Sequence, residues 1–489
     1  MAYYHARTIM RTSSRPLLHR QRLAARVALY SSLVVTGFAA WGLIRALDRP
    51  LKQYAADQWF RIDYLSLPEV KMLREYVRID TSETTGSELE GARFLARQLE
   101  AAGIPARIEV LAGKHANVYA EIAGKDPRPL VLHNHIDVTA ADPAEWFHPP
   151  FEAYVELPWM YGRGVFDMKS VAIAQLLTMI DLKKSGKPLD RSVLFLATSS
   201  EEHGSRLGVR RIIQLQPERV RNFWAVLTEG GAVEARTRED IKYWGTEFGQ
   251  KRFVDVTLCG SDRRQMEDLR VLLAERIDRG YPEIPVQVTP EVRAYLDSYA
   301  SSRDREDFRD LFARPDETIR DPASFQKLPR YVRSLFRAEA VPVALDEVPG
   351  GGFELTVKLH LLPGQEVDEV IDHLLPAWLT WGLTRTIDEA PGARHGSPLD
   401  HPVFAAIDAV LEERHPGAPR GPWFLPWTAT DSRFFRTLGV PSYGFSPFLI
   451  MNTDTLQVDK ANERFAVPAF VEGVGLYKDV VRRLVLATP

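Results

Sequence analysis

Apolar residues recur at helical spacing over Leu67 to Val77 and again over Leu89 to Gly103, with the polar stretch ETTGSE at 83–88 as a break between them. The pattern then changes to short apolar runs of strand length: VYAEIA at 118–123, PLVLH at 129–133, VLFLAT at 193–198 and FWAVLT at 223–228. Between the second and third lies MKSVAIAQLLTMIDLKKSG at 168–186, which predicts a helix with an apolar face, a basic last turn and a terminating glycine. Strands separated by helices predict an α/β domain built on a doubly wound, mostly parallel sheet. From about 245 to 388 the pattern differs: a strand RFVDVTLCG at 252–260, charged helical stretches around 262–279 and 290–314, a strand FELTVKLHLLPG at 353–364 and a helix at 366–376. This predicts an inserted α+β domain, after which PSYGFSPF at 441–448 and a helix from about Glu463 to Leu486 resume the first pattern. The expected organisation is 1–50, 51–244 (first part of the α/β domain), 245–388 (insert) and 389–489 (second part).

Chemistry-bearing residues collect at the ends of the predicted strands. His135 in HNHID, Glu201 in TSSEEHG and Glu229 in VLTEGG each follow a strand, at the edge where open α/β sheets bind ligands. GRGVFDMKS at 162–170 adds Asp167. One imidazole, several carboxylates and no cysteine suit a hydrolytic metal centre, in which one carboxylate bridges two divalent cations and another takes a proton from water. Taken singly, His-x-Asp is an ordinary surface or capping pair, GRG a turn and Glu-Glu a solvated face; it is their joint position at strand ends that points to chemistry.

Composition narrows the class. The chain has 489 residues, 45% hydrophobic and 26% charged, more than one core comfortably holds. Its one cysteine, Cys259, excludes an internal disulfide framework and a thiolate metal site. Residues 1–47 carry seven arginines and no acid, leaving the rest with a formal balance of −10, which argues against nucleic-acid binding. Val27 to Ile44 is a run of 18 uncharged, mostly apolar residues, which as a helix would cross roughly 27 Å, close to a hydrocarbon core. Arg7, Arg11, Arg15, Arg20, Arg22 and Arg26 precede it, so the positive-inside rule predicts an uncleaved signal anchor. Its orientation puts the body outside the cytoplasmic membrane, in the periplasm or extracellular space. A cleaved signal peptide with Ala39-Ala40 near the cut, an organellar presequence and a buried core helix are the alternatives.

These motifs, with WFHPPF at 146–151, DSRFF at 431–435 and NER at 462–464, resemble the dinuclear metallopeptidase family of carboxypeptidase S, aminoacylase and succinyl-diaminopimelate desuccinylase. The resemblance runs from about residue 68 to the C-terminus. It implies His135 as a metal ligand, Asp137 as the carboxylate orienting it, Asp167 as the bridge, Glu201 as general base and Glu202 as a ligand of the other metal. It further implies two divalent ions, zinc by family habit, a peptide or N-acyl amino acid substrate, and an inserted lid through which such proteins dimerise.

The chain departs from that family in its second half. DKANER places Asp459 where the family has a histidine, and the last histidine of the chain is His415. Thr228 stands before EGG where the family has Asp, with Glu229 adjacent. CGSDRR at 259–264 replaces the lid's glycine-flanked histidine, His360 replaces a carboxylate-binding arginine, and Ser200 replaces an Asp. One reading keeps the metals on His135, Asp167, Glu202, Asp459 and Glu229, an oxygen-rich set that shifts preference toward manganese or magnesium, or leaves a single ion. His133, on the same side of its strand as His135, stands as a second nitrogen or as an ordinary buried histidine. The other reading is a catalytically impaired, anchored binding or scaffold protein on the same fold.

Overall fold

A computed structural model of the protein describes residues 62–235, 241–279, 284–300, 308–388, 392–393, 395–451 and 457–486. The expected span at 27–44 lies outside these residues; among the described residues no helix is long and apolar enough to cross a membrane.

The ten-stranded main sheet runs in the order Ala106–Val110, Ala116–Ile122, Arg191–Thr198, Asp126–His135, Ala225–Thr228, Ser442–Gly444, Ile241–Gln250, Ala232–Ala235, Ile450–Met451, with Arg420–Leu425 also paired to Ile241–Gln250. Its centre is parallel: Asp126–His135 lies between Arg191–Thr198 and Ala225–Thr228, and the latter pairs with Ser442–Gly444. These strands are apolar on both faces, as expected of strands covered by helices on either side. The flanks mix both directions: Arg420–Leu425 with Ile241–Gln250 and Ile450–Met451 with Ala232–Ala235 are parallel, whereas Ala106–Val110 with Ala116–Ile122 and Ala232–Ala235 with Ile241–Gln250 are antiparallel. The cause is connection length, since a parallel neighbour needs a crossover of a dozen residues that these short links do not contain.

Helix Lys169–Ser185 supplies the crossover between the two innermost parallel strands and ends at Gly186, whose φ of 63° is the left-handed cap that a glycine adopts without strain. Its apolar residues are buried nearly all round, because it is sandwiched between the sheet and helix Val467–Val485. That last helix begins four residues after the expected Glu463, which instead turns inward. Arg464–Ala466 pairs with Trp159–Tyr161 in a small three-stranded sheet that no apolar run announces.

The expected boundary at 245 falls inside Ile241–Gln250, a strand of the main sheet. One residue, Lys251, separates it from Arg252–Gly260, so no change of pattern marks the passage between sheets. Arg252–Gly260, Glu339–Glu347, Phe353–Leu361 and Thr384–Asp388 form a separate antiparallel sheet in the order second, third, first, fourth. With helices Arg263–Arg279 and Val367–Leu374 this is a β-α-β-β-α-β unit. Val254, Val256 and Leu258 face Leu359, Val357 and Leu355 in register and fill its core. The helical expectation at 290–314 appears as Pro290–Tyr299 and Arg309–Ala313. The segment from Pro290 to Phe336 interrupts the β-α-β-β-α-β order and lies against the main sheet, where Tyr243 donates to Ser298 at 2.9 Å and Ser298 to the Arg420 carbonyl at 3.2 Å.

Candidate metal centre

His135 ends its strand level with Thr198, so the loops carrying His135, Glu201 and Glu229 leave the same edge of the parallel sheet. With Nδ1 protonated, His135 donates to the Asp137 carbonyl at 2.8 Å, which leaves Nε2 facing Asp167 Oδ1 at 3.2 Å and Glu229 Oε2 at 3.6 Å. The Asp137 carboxylate has a further task beside the one the resemblance implies. It lies 3.6 Å from Nδ1, while its two oxygens accept the amide N–H groups of Glu201 and Glu202, each at 3.0 Å. It therefore fixes the glutamate pair directly and the imidazole through its backbone.

Two ligand groups result. His135, Asp167 and Glu229 converge, as do Asp167, Glu202 and Asp459, with the ligand atoms of each group within 4.8 Å of one another. Asp167 belongs to both. Asp459, at a left-handed φ of 59°, is held by Thr139, which donates to its Oδ1 at 3.0 Å. Thr228, by contrast, stays out of both groups.

The electrostatics call for cations. Burial and then the neighbouring Asp431 and Glu229 hold the Glu201 carboxyl well above the usual range, and burial with Asp167 and Asp459 does the same for Glu202. Burial and Asp167 push Glu229 up to about 8, and burial and Asp167 push Asp459 up to about 6. Burial disfavours charge on His135, but Glu229 and Asp167 outweigh it and raise its pKa well above the ordinary value. Glu202 Oε1 is buried without a hydrogen-bond partner among the described residues. A cluster of carboxylates around one imidazole, with an orphaned inward oxygen, fits divalent ions bound mainly through oxygen.

His133 is not a ligand. Its ring is fully buried between two hydroxyls, Thr228 Oγ1 on Nδ1 and Thr198 Oγ1 on Nε2, each at 2.9 Å, and burial with the nearby His135 pushes its pKa down to about 3. Thr228 thus serves His133, and Glu229 reaches the cluster instead.

Glu463 of NER and Arg163 of GRG have no role that the sequence itself reveals. The buried Glu463 accepts from Arg163 Nη1 at 2.8 Å and from the backbone amides of Gly164, Phe166 and Asp167 at 3.1, 2.9 and 3.4 Å. Arg163 also donates to the Asp459 carbonyl at 3.2 Å. The pair ties the loop carrying the shared Asp167 to the segment carrying Asp459. Asp431 of DSRFF, which accepts from Ser205, comes within 3.5 Å of His133 Nε2 and sits close enough to Glu201 to raise its pKa.

The centre opens into a cleft of about 370 Å³ walled by Glu201, Glu202 and Arg433 on one side and by Phe253, Asp255 and Lys358 of the inserted unit on the other. His360 sits behind this wall, stacked on Phe253 with ring centroids 4.2 Å apart, and burial with the charge of Lys251 pushes its pKa down to about 3. It presents no cation at the position of the family's arginine.

Known proteins resemble this chain over most of its length. The chain is 25% identical to rat aminoacylase-1A over 429 residues, 85% of this chain and 95% of the relative. It is 33% identical over 135 residues to a probable succinyl-diaminopimelate desuccinylase of Staphylococcus epidermidis, 27% of this chain and 33% of that protein. Its fold matches that of the di-peptidase Dug1p from Saccharomyces cerevisiae at a TM-score of 0.64 and 13% identity, over 86% of this chain and 96% of the other. The family model described as peptidase family M20/M25/M40 matches residues 131–483, which contain every ligand candidate and both sheets' principal strands, and the chain belongs to that family.

Proposed function

We propose that this chain is a metal-dependent hydrolase of amide bonds in peptides or N-acyl amino acids. The observation that carries the reading is the pair of ligand groups sharing Asp167, with Glu201 beside them in neither group. Two divalent ions held by His135, Asp167, Glu229, Glu202 and Asp459 would supply Lewis acidity and make water acidic enough to ionise near neutral pH. Zinc, manganese and magnesium all suit the oxygen-rich set.

Glu201 acts as general base, taking a proton from the attacking water and delivering it to the leaving nitrogen as the amide bond breaks. Burial and the neighbouring Asp431 and Glu229 raise its proton affinity above that of an ordinary carboxylate, the direction that favours a base accepting a proton from water. Asp137 keeps the base in place through the Glu201 amide. Arg433, stacked over Phe434 at 4.4 Å and close enough to Glu201 to favour its charged form, supplies positive charge on the Glu201 wall of the cleft, in a chain whose inserted unit lacks the family's lid histidine. We assign to it the stabilisation of negative charge developing on the carbonyl oxygen. The N-terminal apolar segment, in the same proposal, anchors the enzyme with its body outside the cytoplasmic membrane; protease protection in sealed vesicles tests that orientation.

The decisive experiment measures hydrolysis of N-acyl amino acids and dipeptides by the full chain with added manganese or zinc, beside Glu201→Gln and Asp167→Ala, with metal content read by elemental mass spectrometry. Turnover lost in Glu201→Gln with its metal retained supports the proposal. Absence of turnover with every metal and substrate class would favour the scaffold reading instead.

A further inference from the structure

Ser200, the residue just before the glutamate pair, sits at a left-handed φ of 63°. That conformation is unfavourable for a residue with a Cβ, and serine lacks the tolerance for it that asparagine and aspartate have. The turn depends on it nonetheless. The Ser200 carbonyl accepts the amide N–H groups of His203 and Ser205 at 3.3 and 2.6 Å, folding the segment back on itself. From this turn Glu202 enters a ligand group while Glu201 stays in neither.

A chain of polar side chains reaches Ser200 from behind the sheet edge. Its hydroxyl lies 2.8 Å from Ser199 Oγ, which lies 3.3 Å from His115 Nδ1. With that nitrogen protonated, His115 donates to Glu88 Oε1 at 2.9 Å. Glu88 is the first residue of helix Glu88–Ala101 and is buried. Burial and the charge of Asp137 push its carboxyl up, while hydrogen bonds from Ser199 and His115 favour its charged form. A carboxylate can only accept, so the chain runs one way: Ser200 donates to Ser199, and Ser199 and His115 donate to Glu88. The Ser199 amide is held separately, by Asn117 Oδ1 at 3.0 Å.

We propose that Ser199, backed by His115 and Glu88, is a positioning residue for the glutamate pair: the hydroxyl chain holds Ser200 in its left-handed conformation and so aims Glu202 at the metals and Glu201 at the attacking water. Asp137 holds the amides of Glu201 and Glu202, and the hydroxyl chain holds the residue before them, so the pair is fixed at two points. The proposal rests on the hydrolase reading for its effect on turnover. Its effect on the turn and on metal binding is measured without turnover.

The full chain is compared with Ser199→Ala, with His115→Ala and with the double variant Ser199→Ala, Ser200→Asn, folding being checked by thermal melting. Amide hydrogen exchange in the fragment covering residues 199–206 should quicken about tenfold in Ser199→Ala and less in His115→Ala, with strand Asp126–His135 unchanged. A manganese titration should show one of two steps weakened about tenfold, since Glu202 belongs to one ligand group only. In the same variant kcat for N-acetyl amino acids should fall about tenfold with KM nearly unchanged, because a misplaced base slows the chemistry and leaves substrate contacts alone. Adding Ser200→Asn, which favours the left-handed conformation by itself, should restore most of each loss. A packing role for Ser199 would not be rescued by a change at its neighbour. The proposal is overturned by unchanged exchange in folded Ser199→Ala, by faster exchange with manganese binding as in the wild type, or by losses that Ser200→Asn leaves in place. A wild-type chain that binds manganese and hydrolyses nothing refutes the hydrolase reading, while exchange and titration still decide the role of Ser199.

Discussion

Replacing Glu463 by alanine tests how the centre is held together. The carboxylate is buried, and so is its partner Arg163, whose side chain is 3% exposed. Removing it leaves a guanidinium whose remaining carboxylate neighbour, Asp459, stands 3.9 Å away, and three backbone amides at 164, 166 and 167 without an acceptor. Breaking one partner from a buried ion pair costs about 3–5 kcal/mol, against a total folding stability of about 5–15 kcal/mol. The variant should therefore shift the urea midpoint by about 1 M, taking a slope of about 3 kcal/mol/M or more for a chain of this size. Both proteins are measured in EDTA, so that lost metal binding does not enter the comparison. Glu463→Gln keeps the volume and one acceptor oxygen but turns an N–H toward other donors, and should fall between them. Removing both partners, Arg163→Met with Glu463→Leu, should cost less than the sum of the single changes. Because Asp167 rides on this loop, metal affinity in Glu463→Ala should drop about 10–100-fold. A stability change below 1 kcal/mol in the metal-free state would refute the argument that this pair staples the site.

Glu201→Gln should lower kcat by about 10²–10⁴ while elemental analysis still finds the wild-type metal content, since Glu201 lies in neither ligand group. Asp459→Asn should weaken one site more than the other, giving two resolvable steps in a metal titration where Asp167→Ala abolishes both, because only Asp167 is shared. His360, with its pKa pushed from 6.5 down to about 3, stays neutral in the fold while the unfolded chain takes up a proton, so its contribution is present above pH 6.5 and lost as pH falls toward 3. The slope is about 1.4 kcal/mol per pH unit, and His360→Phe, which keeps a ring on Phe253, should flatten the acid limb by that amount in denaturation series between pH 7 and 5. An unchanged slope would mean the histidine is already charged in the fold.

The sequence alone was enough for the central strands and the chemistry at their ends, and the physical reason is locality. A strand covered on both faces must be apolar along its length, so VLFLAT and FWAVLT could be read directly, and His135, Glu201 and Glu229 lie within three residues of the ends of such runs. The substitutions at Thr228 and Asp459 were equally visible, but their meaning was not. Only the fold brings Asp459 to Asp167, turns Thr228 onto His133 and lets Glu229 enter the cluster, because each of these meetings joins residues far apart in the chain. The same holds for Asp137, whose carboxylate accepts the amides at 201 and 202 while lying 3.6 Å from His135, and for Glu463, some three hundred residues from the loop it holds. The antiparallel pairs of the main sheet and the passage at Lys251 were hidden for a related reason. Pairing direction and the change from one sheet to the other depend on which strand lies alongside, and an apolar pattern records burial without recording the neighbour.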